Sequence, residues 1–126
     1  MRREYDSGSK WEKYAGYVRA VQHGNVVYVS GTTGFDYQRH TISEDPIEQT
    51  AQCFKNIDEA LSQFGLDKND VVRVRYYVKS GDIFEKVSPL FGKYFSENRP
   101  AATAIICDLI DERMKIEIEL SACVES

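Results

Sequence analysis

The sequence predicts an α+β fold: a six-stranded mixed sheet with two helices on one face. Three features carry this expectation. Asp45 to Phe64 and Asp82 to Phe95 show helical apolar spacing behind helix-start signals. Val71–Val78 and Lys115–Leu120 alternate with the period of two that marks a strand with one buried face. The order along the chain is then β, ββ, α, β, α, ββ, with no internal repeat and no low-complexity segment. At 126 residues the chain is expected to form one domain, 1–126, around one core.

The elements follow in order. A short edge strand is read near Arg2–Tyr5, then a loop carrying Trp11 and Tyr14. Tyr17–Gln22 and Val26–Ser30 form a hairpin across the Gly24-Asn25 turn, ended by Gly31-Thr32-Thr33-Gly34. Residues 35–44 read as a polar loop. Asp45-Pro46-Ile47-Glu48 places an acceptor at the N-cap, proline at N1 and an acid at N3. Ala51, Phe54, Ile57, Ala60, Leu61 and Phe64 continue at helical spacing, and Gly65 is placed to stop the helix. Val71–Val78 is rich in β-branched and aromatic residues. Asp82-Ile83-Phe84-Glu85 repeats the capping pattern. The stripe behind it runs past Pro89, read as one kinked helix because an interior proline costs about 3 kcal/mol. Two strands, 101–108 and 115–123, close the chain, joined by Asp111-Glu112-Arg113.

Composition narrows the function classes. A charged fraction of 29% and 42% hydrophobic residues are ordinary globular values. The net charge of −4 makes nucleic acid an unexpected partner, because non-specific binding rests on cationic surface. No apolar run approaches the ~20 residues of a membrane span, and no apolar signal core follows Met1, so no membrane association is expected. Cys53, Cys107 and Cys123 are odd in number and lack a C-x-x-C spacing. They suit free thiols in a reducing compartment, which here means the cytoplasm, and Cys53 and Cys107 read as buried. With only His23 and His40, no metal site and no histidine triad is expected.

Strand parity points to a site. Val72, Val74, Tyr76 and Val78 are expected to face the helices together with Ile116, Ile118 and Leu120. The opposite face then receives Arg73, Arg75, Tyr77, Glu117 and Glu119, with Arg19 if its strand keeps the same parity, and Ala102 and Ala104. Such a mixed face is often bare solvated surface. Its small apolar members suit an oligomer interface with a polar cleft better.

Several short pieces, in order, carry a resemblance. Gly16-Tyr17-Val18, Gly24-Asn25 and Val29-Ser30-Gly31 come first, followed by Gln49 and Asn56 and by Asp70-Val71-Val72. Phe84…Val87…Tyr94-Phe95, Arg99-Pro100-Ala101 and Lys115-Ile116-Glu117-Ile118-Glu119 complete the set. In these the chain resembles the RidA (YjgF-type, Rid) family. The resemblance implies a chorismate-mutase-like protomer, a homotrimer with ligand clefts between subunits, and no metal or organic cofactor. It also implies hydrolysis of reactive enamines and imines to keto acids and ammonia. By the same resemblance Glu117 orients or activates water, and Tyr17, Ser30 and Gly31 line the pocket. The arginine that clamps the substrate carboxylate in deaminating members is replaced by Ala102. Arg99, Arg75 and Arg19 are the neighbouring cations, and a surface or interface role is the simpler reading of each. The expected function is therefore a RidA-like protein that binds a small metabolite, with imine or enamine deaminase chemistry on an altered substrate. Whether it is an enzyme stays open. A non-catalytic ligand-binding trimer is the alternative, and an endoribonuclease or translation inhibitor the third choice.

Overall fold

The computed structural model describes residues 2–124. In chain order the elements are β1 (Arg2–Tyr5), α1 (Lys10–Ala15), β2 (Ala20–His23), β3 (Val26–Thr33), β4 (Phe35–Asp36), β5 (Thr41–Ile42), α2 (Pro46–Ser62), β6 (Val71–Val78), α3 (Gly81–Tyr94), β7 (Ala101–Ile106) and β8 (Ile116–Cys123). Six strands form one mixed sheet in the order β1-β2-β3-β8-β6-β7, and β4 and β5 form a separate small hairpin. All neighbours in the large sheet are antiparallel except β6 and β7. That pair is parallel because α3 carries the chain back between them, as parallel neighbours require. The two closing strands are not neighbours. β7 lies at the edge, while β8 inserts between β3 and β6 at the centre.

α2 and α3 cover one face of the sheet, as the apolar spacing requires. Val27, Val29, Val74, Val78, Ile116 and Ile118 are buried beneath them. Phe54 of α2 stacks on Tyr94 at 3.9 Å between ring centroids, and Tyr76 of β6 stacks on Phe91 of α3 at 3.9 Å. Cys53 is buried in this core and donates its S–H to the Thr32 carbonyl at 3.0 Å. Cys107, expected buried, is half-buried just beyond β7.

Asp45 caps α2 by accepting the Ile47 N–H at 3.0 Å, but Glu48 accepts from the Ser43 hydroxyl instead of closing a capping box. The cap of α3 is Ser80, whose hydroxyl accepts the Ile83 N–H at 3.2 Å, so Asp82 lies in the first turn and not at the N-cap. Pro89 stands exposed inside one continuous helix. The segment read as a loop after β1 contains α1, capped by Ser9 and ended at Gly16 with φ +78°.

Three parity expectations are corrected. Val72 is exposed, because the ladder to β8 shifts register between Val71 and Arg73, and Val71 takes the buried position. A bulge inserts one residue and so flips the side of its neighbour. Ala102 and Ala104 do not share a face with Arg75 and Tyr77. The parallel register pairs them with Val74 and Tyr76, so they belong to the helix side of the edge strand, while Ala101, Thr103 and Ile105 lie with the arginines. The Arg73 guanidinium accordingly donates to the Thr103 hydroxyl at 2.7 Å. Arg19 is not an open-face cation, because α1 closes over it and leaves it 1% exposed.

Candidate functional site

The site is built around a second bulge. The β3–β8 ladder shifts register between Val29 and Thr32, at Ser30-Gly31. Bulges re-aim side chains and often sit beside active sites. This one is held from behind by Arg19, whose guanidinium donates to the Gly31 carbonyl at 2.6 Å and to the Thr32 hydroxyl at 3.2 Å. The same guanidinium pairs with Glu12 of α1 at 3.1 Å, with both side chains out of solvent. Glu12 also accepts the Ser7 N–H at 3.0 Å and the Ser7 hydroxyl. The Tyr37 ring lies 4.3 Å from the guanidinium carbon, and burial pushes the Tyr37 phenol up to about 12. Ser30 completes the bulge, its hydroxyl donating to the Val18 carbonyl at 2.7 Å.

Two side chains of α2 tie the site's strands together. The Asn56 amide donates to the carbonyls of Thr33 at 3.0 Å and Phe35 at 2.8 Å. Gln49 is fully buried. It donates to Ser43 at 2.7 Å and Arg113 at 2.9 Å and accepts the Lys115 N–H at 2.9 Å. It thereby pins the loop that enters β8. Close packing adds to this, since a methyl group on Gly34 would meet the Gln49 backbone at 2.6 Å. Replacing Gln49 by Ala strands backbone groups at about 1–3 kcal/mol each where they stay dry. Urea unfolding is expected to show a loss of roughly 3 kcal/mol, and a loss well under 1 kcal/mol contradicts the pinning role.

On the face away from α2 and α3, β8 presents Glu117 and Glu119. The Tyr77 phenol donates to Glu119, and this hydrogen bond, ahead of burial, raises its pKa. Arg75 stands 3.9 Å from Glu119. Glu117 has a different environment. Burial lifts its carboxyl above the usual carboxylate range, Arg19 pulls it down, and Glu119 adds to the rise. Gly31 faces it directly, and a methyl group there would collide with the Glu117 carboxylate. Glycine at 31 is therefore a condition for this placement of the acid.

Tyr17, Gly31 and Glu117 line one cavity of about 250 Å³, with Trp11, Ile110 and Met114 among its walls. Three of the residues expected at the site thus come together. Ser30 sits in the bulge with its hydroxyl bonded to the Val18 carbonyl and does not line the cavity. Ala102 and Arg99 are exposed elsewhere, on the edge strand and on the turn before it. Sequence reasoning missed Trp11, Met114 and Ile110. Trp11 and Met114 belong to a satellite apolar cluster with Phe35 and Tyr37, which period-two patterning does not reveal.

The arrangement can place a water or a small electrophile against a half-buried carboxylate beside an apolar recess. Comparison with known proteins bears on the family and the fold. The family model described as endoribonuclease L-PSP matches residues 8–124. A RutC family protein of Pyrococcus abyssi is 33% identical over 110 residues, 86% of this chain and 87% of the relative. A mouse 2-iminobutanoate/2-iminopropanoate deaminase is 29% identical over 107 residues, 84% of this chain and 79% of the relative. Among solved structures, a Mycobacterium tuberculosis member of the YjgF/YER057c/UK114 family superposes with a TM-score of 0.89 at 34% identity, covering 98% of this chain and 100% of that one. With the six-stranded mixed sheet and the matched span in agreement, the chain belongs to the endoribonuclease L-PSP family, the group of YjgF and Rid proteins.

Proposed function

We propose that this protein hydrolyses a small imine or enamine to a carbonyl compound and ammonia, with Glu117 as the general base. The observation that carries the reading is the half-buried Glu117 carboxylate, facing Gly31 and Tyr17 across a small cavity. The deaminase name of the mouse relative supports it. Glu117 takes a proton from water as the oxygen attacks the C=N carbon, giving a carbinolamine. That first proton is returned to the nitrogen as the carbinolamine forms. The carbinolamine hydroxyl then gives up its own proton, which passes to the amine as the C–N bond breaks, ammonia leaves and the C=O bond forms. Water supplies the oxygen and no electrons are transferred, so this chemistry balances without a cofactor. Tyr17 and Ser30-Gly31 position and shape the pocket in this reading. Ala102 in place of a clamping arginine changes the substrate in this reading, and neither Ala102 nor Arg99 lines the cavity within one chain, so either reaches it only from a neighbouring subunit.

The same reading makes the active form a homotrimer. Among the described residues no layer covers the sheet face bearing Arg75, Tyr77 and Glu119, and Tyr28 is 53% and Ile105 43% exposed. Every residue of the edge strand β7 is exposed as well. An unpaired edge and an uncovered mixed face favour association. The three free cysteines fit a reducing compartment such as the cytoplasm. Ammonia release from freshly generated imines, measured above the buffer rate alongside sedimentation of the same sample, tests both parts. Accelerated release from a trimer is expected; buffer-rate release across an imine panel, or a monomer at micromolar concentration, contradicts the corresponding part.

A further inference from the structure

Two cavities meet at the Glu117 carboxylate, and they differ in character. Gly31, Ile110 and Glu117 line both. One is the apolar recess of Trp11, Tyr17 and Met114. The other, about 380 Å³, carries the carboxylates of Asp108, Glu117 and Glu119, with Tyr77 on its wall. Among the described residues no lysine or arginine lines either cavity. Arg75 approaches Glu119 at 3.9 Å from outside the lining and offsets one of these charges. Arg19 is engaged by Glu12 and by the bulge carbonyl.

A ligand in this place meets negative charge and hydrocarbon. A carboxylate-bearing molecule would be brought against like charges with no cation of the same chain lining the cavity to receive it, which disfavours its binding. A cation gains from the acids, and its apolar body gains from the aromatic side chains of Tyr17 and Trp11 that line the recess. We propose that the site takes a cationic small molecule with an apolar body and no carboxylate. Its iminium or ammonium nitrogen sits against Glu117 and Glu119, and its hydrocarbon or aromatic part fills the recess between Trp11 and Met114. This rests on the reading of the Glu117 cleft as the ligand site. Hydrolysis of such an iminium by one water gives a neutral ketone or aldehyde and ammonium. The carbonyl product has then lost the charge that held it.

The chain has a single tryptophan, and Trp11 lines the recess, so its fluorescence reports occupancy directly. The test is a titration of the wild-type protein at neutral pH with phenethylammonium and with 3-phenylpropanoate, which match in apolar body and differ in charge. The ammonium is expected to bind at least roughly tenfold more tightly. Glu117→Gln is expected to remove most of that preference. Ile110→Ala, at a side chain 91% exposed and so harmless to the fold, is expected to weaken both ligands alike. Equal or tighter binding of the carboxylate overturns the proposal, as does a signal from neither ligand or a preference unchanged in Glu117→Gln. The hydrolase reading fails separately. Ammonium-selective binding with no turnover of any imine removes the chemistry and keeps the ligand class. Turnover of carboxylate-bearing imines without ammonium preference does the reverse.

Discussion

Replacing Arg19 by Met is expected to lower the unfolding free energy by about 3–5 kcal/mol. Glu12 and Arg19 are a buried ion pair at 3.1 Å, 1% exposed each. Removing the guanidinium leaves an uncompensated carboxylate in the interior, and it also frees the Gly31 carbonyl and the Thr32 hydroxyl. The Coulombic gain of such a pair roughly offsets its desolvation, so the pair itself need not be a net stabiliser. The double change Glu12→Leu with Arg19→Met is therefore expected to recover much of the loss. Urea midpoints for the two singles and the double form the cycle that reads this coupling. A single variant that loses less than about 1 kcal/mol contradicts the buried-pair description. Because Arg19 props the bulge that presents Gly31 to Glu117, the double variant is expected to be folded yet impaired in ligand binding.

Glu117→Gln is expected to cut kcat for imine hydrolysis by about 10²–10⁴-fold, the range for loss of a positioned general base. The amide keeps the shape and cannot accept a proton. Stability should change little, because the acid is held half-buried above its usual pKa and its charged form is not a source of folding energy. The uncatalysed rate is subtracted throughout. A reduction smaller than about tenfold assigns the base role elsewhere.

Much of the fold was legible because local rules govern it. Asp45-Pro46 announced α2, and the alternations at Val74–Val78 and Ile116–Leu120 marked the buried faces correctly. What escaped was long-range or small. The parallel pairing of β7 with β6 is a tertiary choice, and it alone put Ala102 beside Val74. A one-residue bulge turned Val72 outward, since register slips flip every side chain they touch. The helix α1 had a visible signal in Ser9-Lys10-Trp11-Glu12, the S-x-x-E form of a capping box, although Glu12 turns inward to Arg19 instead of back to Ser9. The site divides in the same way. Glu117, Tyr17 and Gly31 were named from local pieces and do line one cavity. The burial of Arg19 and the walls of Trp11 and Met114 depend on how α1 and the loop before β8 fold over the sheet.

The most direct test of Glu117 as the base is the pH dependence of kcat/KM for ammonia release, in the wild type and in Glu117→Gln. Only the ionised acid accepts a proton, and burial raises the pH at which it ionises. Activity of the wild type is therefore expected to rise with pH through a limb above the ordinary carboxylate range, and that limb is expected to vanish in Glu117→Gln. A wild-type profile that is flat across this range, or a limb that persists unchanged in the glutamine variant, contradicts it.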